Sequence, residues 1–474
     1  MKRYHILLAM IAGILLTAAT SCKKLLDEDP KGLIVPSHFF NTTDEIQQAL
    51  NGAYAYLNDM DLYRQSHWLN SEVLTDLTTV RENLRAGYSY QNGPGEIPLT
   101  WKVLYAGVNA ANVTLAGIKG SHVADSVKAP FLGEARLLRA WYYFLLVNYF
   151  GDVPLWTDEQ TDVDVIGQLP RTPVDKVYEQ VIDDLSYAET VLPDAYSGNL
   201  KSRATKGAAE AMLARVYLYR KDWQKAKDEA MKVIQSGKYK LLPSYGDVFL
   251  EKNERNDEII FTVEFKTLVV GTWRHSFYTP QTAIEGIPEF TGYGTMIPTV
   301  YFKSLVAAND LRKPQLLMSE WNGKTLTRTY FGPKFLDIGA PVRESGKDFI
   351  VSRYGEILLI VAEAENELNG PTAEAYARIN EVRSRAGLAD LSGLTQSDFR
   401  TALMKERAVE LVGEGHQRWD LVRWGKFVDA IKNIDPSDNP YAPGYMKPYY
   451  VLFPIPVAER LKNPNLTQNP GYGQ

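Results

Sequence analysis

Apolar residues recur at three- and four-residue steps in block after block of this 474-residue chain, and that periodicity commits it to helices packed on helices. The strongest block carries Phe131, Ala135, Leu138, Tyr142, Leu145 and Tyr149 on one face, while Glu134, Arg136 and Arg139 fall mostly elsewhere. It predicts a helix from Pro130 to Tyr149, stopped by Gly151 and Pro154. Asp44 is placed to cap an earlier helix bearing Ile46, Leu50, Ala53, Tyr54 and Leu57. Another helix runs from about Leu99 to Ile118, with Trp101, Tyr105, Val108 and Asn112 on neighbouring turns.

Later helices come in pairs. Val174 to Leu192 precedes Thr205 to Arg220, and a tight turn at Lys221-Asp222 leads into Trp223 to Ser236. The small residues Ala214, Ala226 and Ala230, spaced among Tyr217 and Trp223, match a tetratricopeptide-type hairpin. Tyr354 to Asn369 and Thr372 to Ala386 form a comparable pair across Gly370-Pro371, and one more helix spans Ser397 to Gly413. Small residues at helix crossings allow such hairpins to stack. The expected fold is therefore predominantly α, a scaffold of antiparallel helix pairs, tetratricopeptide-like or of a generic kind, bearing long irregular loops and a few short strands.

Two loop-rich regions, about 60–98 and 238–350, are filled with Gly, Pro, Tyr and Thr, with a strand-like piece at Glu258 to Val263. Loops of that length on a compact scaffold are usually functional. The tail from Asp435 holds eight of the 25 prolines, which predicts extended chain wrapped over the surface.

The N-terminus reads as an address. Lys2 and Arg3 precede an apolar run from Ile6 to Leu16, then Ala19-Thr20-Ser21 and the only cysteine, Cys22. That is a signal peptide over 1–21 with lipidation at Cys22, followed by a flexible tether over 22–43 that carries the acidic run Asp27-Glu28-Asp29, and one body over 44–474. A lone cysteine excludes a disulfide framework and a cysteine-based metal site. The formal net charge is −5, and losing Lys2 and Arg3 makes the remainder more acidic, which argues against nucleic acid as a partner.

Catalytic patterns are poor. The six histidines are scattered without metal-ligand spacing, and no nucleophile elbow, phosphate loop or dinucleotide fingerprint occurs. Glu363, Glu365 and Glu367, and the four-spaced Glu406, Glu410 and Glu414, read as solvated or ion-paired helix faces, not acid/base pairs. The turn Asp435-Pro436-Ser437-Asp438-Asn439 has calcium-compatible side chains and no further support. The aromatics divide in two. Trp101, Trp141, Trp223, Trp419 and Trp424 fall in or next to helices and read as core. Trp68, Trp273 and Trp321 fall in loop-rich regions beside His67, Asn70, Arg274, His275, Glu320 and Asn322. Flat rings stack on the apolar faces of sugars while such polar neighbours bond the hydroxyls, so an aromatic platform on loops suits a glycan.

Several blocks, in order, resemble the SusD/RagB family of nutrient-binding lipoproteins on Bacteroidetes outer membranes. They are Ser21-Cys22-Lys23-Lys24; Glu134 to Phe144 with Phe150-Gly151-Asp152-Val153-Pro154-Leu155; and Ala204 to Ala209 with Arg215-Val216-Tyr217-Leu218. They continue with Arg353-Tyr354 and Glu356 to Ala364, Val382 to Leu388, Glu406 to Trp424, and Pro454 to Tyr472. The residue three before Cys22 is Ala19, where the family more often has leucine. The resemblance implies four tetratricopeptide-like helix pairs with loops packed on one side, and no enzyme activity, cofactor or metal. It also implies a partner, a SusC-like TonB-dependent outer-membrane transporter, over which the lipoprotein acts as a hinged lid delivering oligosaccharide. An alternative is a peptide-uptake or purely structural lid without a carbohydrate site. Placement on the loops makes Asp76, Arg81, Trp273, Tyr278, Tyr293 and Trp321 the candidate ligand residues.

Overall fold

The computed structural model describes residues 39–73, 75–81, 96–159, 163–198 and 202–473. Cys22 and most of the tether lie outside the described residues. The architecture of the described residues is mostly helical, with three small two-stranded sheets. The long helices are α1 (Thr43–Ala55), α2 (Ile97–Gly120), α3 (Asp125–Phe150), α4 (Val174–Val191), α5 (Lys206–Tyr219), α6 (Trp223–Gln235), α7 (Tyr354–Asn369), α8 (Ala373–Arg385) and α9 (Gln396–Glu410). Each packs on a neighbour in chain order: α2 on α3, α3 on α4, α4 on α5, α5 on α6. Across the long insertion α6 meets α7, which then packs on α8 and α9.

Local chemistry explains most helix ends. The cap of α1 is Thr42, not Asp44: the Thr42 hydroxyl accepts from Glu45 N at 3.2 Å and the Glu45 carboxylate accepts from Thr42 N at 2.9 Å. Helix α3 starts five residues before the expected Pro130, at Asp125, and carries Pro130 inside. Those first turns are largely exposed, so apolar periodicity did not register them. At the α5–α6 turn Lys221 adopts φ +59° and Asp222 caps α6 by accepting from Lys225 N. Gly107 lets α2 approach α3, because a Cβ there would lie 2.6 Å from the Tyr142 ring.

The strands pair antiparallel. β1 (Thr78–Val80) joins β3 (Met296–Pro298), β2 (Ile259–Val263) joins β6 (Phe349–Arg353), and β4 (Leu317–Trp321) joins β5 (Lys324–Phe331). The expected extended tail instead forms short helices at Ala442–Tyr445, Pro448–Val451 and Val457–Lys462. Prolines start these turns, at a position where a missing N–H costs nothing. Asn469 pins the chain end by donating to Phe150 O at 3.1 Å and Phe453 O at 2.7 Å.

The loops are tied to the helices by buried ion pairs. Arg353, at the end of β6, meets Glu258 at 2.8 Å, Glu410 at 2.6 Å and Glu414 at 2.7 Å, all of them buried. Arg312 pairs with Asp310, Glu406 and Glu410, Arg385 with Glu258 and Glu410, and Lys334 with Glu414. The Glu406–Glu410–Glu414 series is thus ion-paired as expected, but it is buried and not solvated. Burial raises the Glu410 and Glu414 carboxyls; the surrounding arginines, with Lys334, outweigh it, holding Glu410 well below its ordinary value and Glu414 at about 2.

Replacing Arg353 with alanine removes the one cation shared by three buried carboxylates and leaves each with fewer partners, so Arg353→Ala should lower stability by about 3–5 kcal/mol, read from urea denaturation. Acid should act in two windows. Glu410 and Glu414 titrate below an unfolded glutamate's value of about 4.3, so the stability they contribute is complete above that pH and is lost as pH falls toward 2. Burial pushes Glu72 up to about 7 and Asp76 up to about 6, so these two favour the protonated folded state and stability rises as pH falls from 7 toward about 4. Thermal melts at stepped pH should therefore show the highest melting temperature between about pH 4 and 6.

Candidate functional site

The buried network reaches the loop surface through one short segment. Glu72 sits at the end of the helix Ser66–Glu72, and its carboxylate accepts backbone N–H bonds from Gly413, Gly415 and His416. Arg274 donates to Gly413 O at 2.8 Å from the other side. Next to it, Trp273 N and the Thr272 hydroxyl both donate to Arg64 O, at 3.1 and 3.0 Å. Trp273 is therefore held by backbone at a fixed distance from the core, half-buried, with its indole toward the surface residue Arg343.

The exposed Arg343 guanidinium lies 4.0 Å from the Trp273 ring centre and 5.4 Å from that of Tyr293. Its backbone takes φ +67°, an uncommon conformation for a non-glycine residue, and its N–H donates to the Ser276 hydroxyl at 2.7 Å. Tyr293 is bonded through its own N–H to Ser276 O and packs edge-on against Phe277 at 5.5 Å. Phe277 in turn rests edge-on against Trp68 at 5.2 Å. Trp68 is fully buried, so it buttresses the platform from below and is not part of it, contrary to its loop placement in the sequence.

Arg81 approaches the same segment. Its N–H bonds Thr295 O at 3.0 Å and its guanidinium donates to Gln281 Oε1 at 3.3 Å. Trp321 caps the β4–β5 hairpin, where Asn322 and Gly323 take φ +48° and +79° as the two turn residues. Its ring packs on Phe290 at 5.2 Å, and the hairpin is clamped to the 281–290 loop by Glu285, which accepts from Thr327 N and the Thr327 and Tyr330 hydroxyls.

Of the six expected ligand residues, the structure brings Trp273 and Tyr293 together under Arg343, and sets Arg81, after β1, and Trp321, on the β4–β5 hairpin, against the 281–295 segment. Asp76 and Tyr278 are withdrawn. Asp76 is buried and accepts from Gln417 Nε2 at 2.6 Å. Tyr278 is fully buried, stacked on Phe335 at 4.7 Å, so it belongs to the core. Arg343, Gln281 and Phe277 carry no sequence signal, because their loops meet only in the folded chain. The Asn322-Gly323 dipeptide did carry one, as a two-residue hairpin turn. Among the described residues no group of His, Cys, Asp or Glu could hold a metal ion, and no helix is long and apolar enough to cross a membrane. The Asp435–Asn439 turn is occupied internally, with Asp435 accepting from Ser437 and Asp438 accepting from Val300 N at 2.7 Å.

Comparison with known proteins decides the family. SusD-like protein P25 of Formosa agariphila is 30% identical over 97% of this chain and 98% of its own length. The chain belongs to the SusD family. The SusD family model matches residues 318–472, and a second model, described as starch-binding associating with outer membrane, matches residues 24–218. Among solved structures, a SusD homolog from Bacteroides thetaiotaomicron superposes with TM-score 0.80 at 25% identity, covering 92% of this chain and 98% of that one. A laminarin binding SusD-like protein superposes with TM-score 0.77 at 26% identity, covering 91% of this chain and 100% of that one. In this SusD family member the Trp273 platform is built on the long insertion between α6 and α7.

The placement of Tyr278 can be checked without ligand. Its hydroxyl has no hydrogen-bond partner among the described residues. Tyr278→Phe should therefore leave stability unchanged or raise it by up to about 1–3 kcal/mol, whereas Tyr278→Ala should cost about 3–5 kcal/mol, both read from denaturant unfolding.

Proposed function

We propose that this protein is a lipid-anchored glycan receptor of the outer membrane that captures oligosaccharide on the Trp273 face and hands it to a SusC-like TonB-dependent transporter. The observation that carries the reading is the Trp273–Tyr293–Arg343 platform: two surface aromatics fixed by backbone bonds, with an exposed guanidinium stacked over them. An exposed cation–π stack is worth only about 0.5–1 kcal/mol, so a sugar ring can displace Arg343 from Trp273 at little cost. The freed guanidinium then has five N–H donors for ring hydroxyls or carboxylates. Arg81 and Gln281 add polar contacts beside the platform. The structural neighbour named for laminarin binding and the starch-binding, outer-membrane family description support carbohydrate as the cargo. Binding alone is the activity, since the platform offers no pair of carboxylates flanking a sugar bond.

The body over 44–474 acts as the lid, and Cys22 with the tether over 22–43 is its hinge to the membrane. The tether lets an acidic body swing over the barrel without leaving the membrane. Open platforms bind weakly, so affinities in the micromolar to millimolar range are expected.

Isothermal titration of the protein against a panel of oligosaccharides tests the site. Trp273→Ala and Tyr293→Ala should each weaken binding at least about tenfold, or about 1.4 kcal/mol, with little change in melting temperature. Unchanged affinity in both places the site elsewhere. Cys22→Ala should release the protein from membranes and abolish its co-purification with an outer-membrane barrel. A barrel complex with no response to any glycan would favour a structural or peptide-uptake lid.

A further inference from the structure

A second aromatic cleft lies apart from the Trp273 face and shares no residue with it. It has a volume of about 480 Å³ and opens between the first turns of α2, the residues Pro154 and Trp156 with Ile166, Gly167 and Gln168, and the C-terminal segment from Glu459 to Leu466. That volume is in the range of about 300–1,000 Å³ typical of small-ligand sites. Trp101, Tyr105 and Trp156 form its aromatic lining. The Tyr105 and Trp156 rings are nearly parallel, 7° apart with centres at 5.0 Å, and Trp101 leans on Tyr105 at 4.9 Å.

This wall is rigid. The Tyr143 hydroxyl accepts from Trp156 N at 2.9 Å and donates to Trp156 O at 2.7 Å, and Asn112 Nδ2 donates to the same carbonyl at 3.3 Å. The Tyr105 hydroxyl donates to Pro154 O at 3.0 Å. Across the cleft, Asn463 donates to Leu169 O and Asn465 to Gln168 O, both at 2.8 Å, which locks the C-terminal rim to the 168–169 rim. Binding to such a site costs little ordering of the protein.

One polar group in the wall has its bond unmade. The Trp156 indole N–H is buried and finds no acceptor among the described residues. Exposed Lys102, Gln168 and Lys462 line the rim with the half-buried Glu459, which pairs with Lys462 at 3.4 Å. Aromatic faces and a rim of long polar side chains are complementary to a pyranose ring, whose apolar face stacks while its oxygens accept and donate.

We propose that the Trp101–Tyr105–Trp156 cleft is a second carbohydrate subsite that holds a pyranose unit of an oligosaccharide. The inference does not depend on the Trp273 platform. Two subsites on one chain make a long glycan bind by avidity, because release from one site leaves it tethered at the other.

The full chain is titrated with maltohexaose, laminarihexaose, xylohexaose and oligogalacturonate. In a Trp273→Ala, Tyr293→Ala background, binding of at least one of these should persist. Adding Trp156→Leu should weaken that residual binding at least tenfold. Lys102→Met, an exposed rim change that leaves the core intact, should weaken it at least threefold at unchanged melting temperature. The proposal is overturned if the platform double variant binds none of the four. It is equally overturned if Trp156→Leu and Lys102→Met both leave the residual affinity unaltered, or if the unaltered chain binds none of them. Loss of all binding in the cleft variants alone would support the cleft and remove the platform as the binding site.

Discussion

Arg353 is the point on which the two halves of this molecule close. It stands at the end of β6, immediately before α7, and satisfies carboxylates from β2's edge (Glu258), α9 (Glu410) and the turn after α9 (Glu414). No apolar side chain could replace it alone, because three buried carboxylates would lose the cation they share and the remaining cations would not balance them. The guanidinium fork matches this three-way geometry, with Nε and Nη2 sharing Glu414 while Nη1 bridges Glu258 and Glu410. Arg312, Arg385 and Lys334 complete the balance, so desolvation is offset pair by pair. Buried ion pairs are weak evidence of net stability, but they discriminate sharply between arrangements, since any shift of register leaves a charge unpaired.

The loop face inherits its order from that arrangement. The turn after α9 is gripped by Glu72 through three backbone N–H groups and by Arg274 through Gly413 O. Arg274 follows Trp273 directly in sequence, so the ring on the surface is one residue away from a contact with the core. Trp68, Phe277 and Tyr293 make a second, purely aromatic route from interior to surface. The platform is consequently preorganised by packing, and only Arg343 above it remains solvent-facing and free to exchange partners. The Trp156 wall follows the same logic with different parts: Tyr143 and Asn112, both on long helices, pin the backbone of a loop tryptophan.

Much of the fold was legible in the residues. Long helices with a continuous apolar stripe, α3 and α4 above all, are set by local spacing and need no distant partner to be recognised. The misreadings share one cause. Glu410 and Glu414 are ion-paired as read, but their burial was not legible, because it depends on an arginine from elsewhere in the chain, and Arg353 lies some sixty residues away. Asp76 and Tyr278 sit in loop-rich sequence, yet they are covered by Gln417 and by Phe331 and Phe335. Loop composition announces irregular backbone; it says nothing about which side chains face inward.

The sequence by itself determined the helical class, the order of the helices and the family to which the chain belongs, because periodicity and motif spacing are local properties. Tertiary structure alone decided which aromatics are surface and which are core. Trp68 and Trp273 have the same composition around them and opposite fates, since one is enclosed by Phe277 and Tyr278 and the other is held at the rim by Arg64 O. That choice is made by contacts between residues some two hundred positions apart, which no local pattern encodes.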